Sequence, residues 1–182
     1  MYRLTPLTDE TMTPEQLRVA DAIRSGPRGG MRGPFDAWLR SPGLAEPAQE
    51  LGAYCRFGTS LERDTSELAI LLTGRRWRAQ FEFWAHARLA RDARLPDGVI
   101  EAIRVGERPK LDRPDLAVIY DVVAEYFASE RLSGETYNRA IEVLGERGLV
   151  DLIGIVGYYS LVSMTLNVFQ VGLPEGETEP LD

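Results

Sequence analysis

The chain has 182 residues, 44% hydrophobic and 27% charged, a composition that suits one globular domain with a sizeable core and excludes a disordered chain. Its formal net charge of −7 argues against a nucleic-acid partner, because neutralising phosphates requires a basic face. The single cysteine, Cys55, excludes an internal disulfide, a CxxC redox pair and a thiolate metal site.

Helical signals begin near the N-terminus. The opening MYRLTPLTDE lacks the apolar run of a signal peptide, and with one cysteine it points to the cytoplasm. Thr13-Pro14-Glu15-Gln16 combines a capping threonine, a first-turn proline and a third-position glutamine, which predicts a helix to about Ser25. GPRGGMRGP, residues 26–34, is too rich in glycine and proline for regular structure and reads first as a surface loop, with an anion nest at GPRGG as the alternative. Phe35–Arg40 reads as a short helix. Ser41-Pro42 opens a further one, with Leu44, Ala48, Leu51 and Cys55 on one face.

Asp64 or Thr65 caps the next helix, which carries Leu68, Leu71 and Leu72. Trp77–Ala93 is helical and stops before Leu95-Pro96. Pro96-Asp97-Gly98 begins a short helix to about Val105, and GERPKLDRP is a loop. Three helices follow. One runs from Arg113-Pro114-Asp115 to Phe127 or Ser129, and one from Ser133-Gly134-Glu135 to Glu146-Arg147-Gly148. The last is LVDLIGIVGYYSLVSMTLNVF, residues 149–169. It has about the roughly 20 residues of a bilayer span. Asp151, Ser160, Ser163, Thr165 and Asn167 favour instead a helix buried in the protein or at a subunit interface. The acidic tail PEGETEPLD reads as flexible. With no strand alternation, the expected fold is all-α and single-domain over residues 1–182, its core spanning about 13–174.

The stretch FEFWAH holds the only histidine. Glu82 and His86 are four apart and project from one helix face. On spacing alone, the plainer reading of His86 is a core histidine bonded to Glu82 or to a neighbouring carbonyl. Glu67 would lie roughly 22 Å from Glu82 on one straight helix, at about 1.5 Å per residue. A break at Thr73-Gly74-Arg75-Arg76 would fold the chain into a hairpin and bring Glu67 across from both.

ELAILLTGRRWRAQFEFWAHARLARDARLPDGVIEAI, residues 67–103, resembles the carboxymuconolactone decarboxylase family, related to the alkylhydroperoxidase AhpD. Members carry a glutamate, a hairpin break and a helix with a histidine near its middle. GPRGGMRGPF and the apolar final helix add to the likeness, which touches most of residues 20–174. The resemblance implies an AhpD-like helical bundle with a central helical hairpin. It also implies assembly into homo-oligomers, as dimer, trimer or hexamer. The peroxidase branch has the pattern E-x11-C-x2-C-x3-H. Here Glu67 and His86 are kept, while Ala79 and Glu82 occupy both cysteine positions, which removes the thiol chemistry.

The decarboxylase branch implies a lyase acting on a small carboxylated lactone or related enol acid, with no cofactor and no metal. In that scheme His86 is the general acid/base. Glu82 orients it, and Glu67 positions a polar group of the substrate. Trp84 contributes an aromatic wall, and Arg28, Arg75, Arg76 or Arg78 holds the substrate carboxylate. Two other readings stand beside it: an alkylhydroperoxidase, disfavoured without CxxC, and a non-catalytic helical oligomer that binds a small ligand. Neither nucleic acid nor membrane is an expected partner.

Overall fold

The computed structural model of the chain describes residues 2–27 and 30–182. Eight helices and no strand occur among the described residues: α1 (Pro14–Ser25), α2 (Phe35–Trp38), α3 (Pro42–Phe57), α4 (Arg63–Arg76), α5 (Gln80–Asp92), α6 (Asp97–Val105), α7 (Pro114–Ser129) and α8 (Gly134–Phe169). The all-α single-domain expectation holds. At α1, the Thr13 hydroxyl accepts from the Gln16 N–H while the Gln16 side chain accepts from the Thr13 N–H, the reciprocal cap that the sequence pattern predicts.

The core is organised around α4, which packs against α5, α6, α7 and α8. Thr65 through Leu71 are all buried, as required of a helix enclosed on every side. The other helices each bury one stripe against it or against each other.

Five local expectations change, the first at α4, which starts at Arg63 with Glu62 as its N-cap rather than Asp64 or Thr65. On α3 the inward face is Ala45, Ala48, Gly52 and Cys55, whereas Leu44 and Leu51 stay exposed. Small residues let α3 approach α1, α2 and α8, and the leucines would hold it off. The α4–α5 break lies not at Gly74 but at Trp77–Ala79, since α4 continues through Arg76.

The break near residues 146–148 falls instead at Gly145, a kink inside α8. Its φ of 71° and ψ of 171° lie in a region open essentially only to glycine. Replacing Gly145 with alanine is therefore expected to cost about 1–3 kcal/mol, measured as a lowered urea midpoint at constant slope.

The acidic tail is docked rather than loose. Leu181 is buried, the Gln80 side chain bonds both its N–H and its carbonyl, and Arg104 donates to the Pro180 carbonyl. Leu181→Ala should speed amide exchange at residues 178–182 while leaving the global unfolding midpoint in place, because a strap opens locally. Among the described residues one helix, α8, is long and apolar enough to cross a membrane by length and composition, yet 61% of its most apolar window is buried inside the protein.

Candidate active site

The turn between α4 and α5 sets the site. Arg78 takes a positive φ of 49°, and the Ala79 N–H returns to the Gly74 carbonyl at 2.9 Å. Asn167 of α8 pins the turn by donating to the Trp77 carbonyl at 2.7 Å. The two helices then run back along each other. Gly74 lies within α4 rather than at its end. A β-carbon there would stand 3.6 Å from the Phe83 nitrogen and 3.7 Å from Glu82 Cγ. These are ordinary van der Waals distances, so the α4–α5 approach beside Glu82 leaves room for a β-carbon at this position.

The hairpin joins the three expected residues. His86 Nδ1 lies 2.7 Å from Glu67 Oε2, in a hydrogen bond between α5 and α4. His86 Nε2 lies 3.0 Å from Glu82 Oε1. That oxygen accepts no well-aligned hydrogen bond among the described residues, so the second contact is one of charge rather than of directed bonding. All three side chains are buried, and Tyr159 of α8 packs edge-on against the imidazole, ring centroids 5.0 Å apart.

Burial disfavours the imidazolium, but the charges of Glu67 and then Glu82 outweigh it, and the His86 pKa is raised to about 9. At neutral pH the ring is a cation between two carboxylates. Once it loses a proton, the Glu67 bond keeps hydrogen on Nδ1 and leaves Nε2 as the acceptor. The pair can therefore give a proton from Nε2 and take one back.

Glu82 and His86 line a cavity of about 440 Å³, within the size range of small-molecule sites. Its walls include Phe81 and Trp84, whose rings lie 5.8 Å apart, and Tyr159. Glu67 sits behind the imidazole and does not line the space. Trp84 thus stands where an aromatic wall was expected.

The arginines of GRRWR do not line it. Arg75 pairs with the Asp182 side chain at 3.1 Å, Arg76 stacks over Phe127, and Arg78 donates to an Asp182 backbone oxygen. Arg75 and Arg76 belong to the last turn of α4, and Arg78 lies in the turn that follows. Arg28 lies outside the described residues. Arg32, Arg56 and Arg88 line the cavity instead. All three were missed from sequence; Arg88 alone had a local signal that could have found it, standing four residues after Trp84, and its guanidinium lies 4.8 Å from that ring. Nothing in the sequence singled out Arg56 or Tyr159, which come from α3 and α8.

No thiol reaches the cavity. Ala79 is fully buried at the start of α5, and Cys55 is buried on α3. No family model matches the chain, and no curated protein matches it. A solved structure does. An uncharacterized peroxidase-related protein from Silicibacter sp. TM1040 superposes with a TM-score of 0.77, covering 99% of this chain and 95% of its own. The two share a fold. At 12% identity the likeness extends to architecture alone, and it is consistent with the AhpD-like helical arrangement.

Proposed function

We propose that the chain is a cofactor-independent lyase or isomerase that moves a proton on a small carboxylated lactone or related enol acid, with His86 as general acid/base. The observation that carries this reading is the buried Glu67–His86–Glu82 series opening into an aromatic cavity. For a decarboxylation, the bond to the departing carboxylate breaks and carbon dioxide leaves. The electron pair passes into the conjugated system as a dienolate. His86 then gives its Nε2 proton to carbon, and solvent restores it. Because Nε2–H is poorly aligned with Glu82, its proton is available to a substrate atom. Glu67 fixes the ring and stabilises its cationic form.

The test is incubation of a panel of carboxylated lactones and enol acids in heavy water. Carbon dioxide release or deuterium gain at carbon is expected for at least one member. Neither, for every member, would sink the lyase reading.

The fold neighbour's peroxidase-related description raises thiol peroxidase activity as the alternative, which the missing cysteines disfavour. Hydroperoxide consumption by the wild type and by Cys55→Ser is expected to be equally negligible. Homo-oligomerisation and a cytoplasmic location belong to the same proposal. Val150, Ile153, Met164 and Val168 are exposed along α8, an apolar stripe that a second copy could cover. A concentration-independent monomer in light scattering would remove the assembly.

A further inference from the structure

The cavity's charges divide into two kinds. Glu82 and His86 form the proton-handling wall, and among the described residues every other charged side chain lining it is an arginine: Arg32, Arg56 and Arg88. In a chain of net charge −7, a cavity ringed by three guanidinium groups concentrates small anions against the overall field. The three are not equivalent. Arg88 is engaged, stacked on Trp84 and 3.5 Å from Glu177. Arg32 and Arg56 pair with no carboxylate among the described residues, and Arg56 meets only the face of Phe57. A planar fork of donors without a counter-ion, at the edge of an apolar space, matches a ligand carboxylate.

Glu82 sets the second requirement. A carboxylate offers about four acceptor positions, and among the described residues Glu82 uses only the off-line contact to His86. Its remaining capacity lies at the cavity wall. A ligand that brought only acceptors there would face a carboxylate it could not satisfy, whereas a hydroxyl would donate to it.

We propose that the cavity binds a planar acid carrying both a carboxylate and a hydroxyl or enol group, with the carboxylate on Arg32 and Arg56 and the O–H donated to Glu82. This rests on the lyase reading and narrows it, favouring the enol acid over the lactone. The lactone lacks the donor that Glu82 calls for. Phe81, Trp84 and Tyr159 supply flat apolar faces for the unsaturated body of the ligand.

Equilibrium binding to the full chain tests this, with benzoate, the three hydroxybenzoate isomers and the matching hydroxybenzamides as probes in titration calorimetry. At least one isomer is expected to bind about tenfold or more tighter than benzoate and than its own amide. Arg32→Gln and Arg56→Gln should each erode the preference for acid over amide. Glu82→Leu should erase the preference for the hydroxyl, and Glu82→Gln, which keeps the shape, should weaken it. Arg76→Gln, outside the cavity, should change neither.

No binding by any probe at about 10 mM, equal affinity for acid and amide, or preferences that survive in the variants would overturn the proposal. Preferences that hold in a chain with no turnover would refute the lyase reading and leave the ligand class standing. Turnover of an enol acid without those preferences would refute the subsite alone.

Discussion

His86→Gln is expected to slow turnover of a converted substrate by about 10²- to 10⁴-fold, the range contributed by a positioned general acid or base. Glutamine fills a similar space and can hydrogen-bond Glu67, so the helical hairpin should survive and far-UV circular dichroism should match the wild type. What it lacks is a proton that can be given and recovered near neutral pH. The pH profile separates this loss from a packing defect. With the histidine pKa raised to about 9, wild-type kcat/KM should fall above pH 9 as the donor is lost. That limb should vanish from the residual activity of the variant. Unchanged turnover in His86→Gln would leave the imidazole a core residue held by two glutamates.

The second large effect concerns stability and needs no substrate. In the unfolded chain His86 loses its proton near 6.5, whereas in the folded chain it keeps it to about 9. Between those values the native state binds the extra proton, so stability falls as pH rises. The contribution is fully present below pH 6.5 and lost above about 9. A shift of this size corresponds to roughly 3 kcal/mol. Urea midpoints of the wild type should drop across that window, and those of His86→Gln should stay nearly flat there. A wild-type curve as flat as the variant's would mean that the two carboxylates do not hold the proton.

Most of the architecture was legible because local chemistry announces it. The Thr13–Gln16 cap, the prolines at the starts of α1, α3 and α7, and the apolar run of α8 each mark an element without tertiary information. The Glu67–His86 meeting could also be anticipated, since a hairpin is the one way to bring residues 19 apart into contact on these helices. Two classes of feature escaped. Turns made by residues without glycine's freedom, such as the positive φ at Arg78, carry no composition signal. They decided where α4 gives way to α5. The rim of the cavity escaped for a different reason. Arg32, Arg56 and Tyr159 come from three separate segments, and only packing brings them to one space. The tail misled in the opposite sense. Its charge suggested solvent, but Leu181 has a buried seat and Gln80 a matching pair of bonds.

The placement of the site on α4 and α5, with arginines supplied by the loop before α2 and the end of α3, bears on how such a protein can change. Glu67 lies on the most enclosed helix and His86 against it, so substitutions there disturb core packing whatever the substrate. Arg32 is exposed and Arg56 half-buried, positions where replacements typically shift stability by no more than about 0.5 kcal/mol. On the proposed function, descendants of this chain could therefore exchange one ligand for another at the rim while keeping the Glu67–His86 pair intact. In a lineage of such proteins, variation in the arginines beside an unvarying Glu–His pair would record changes of diet rather than of reaction.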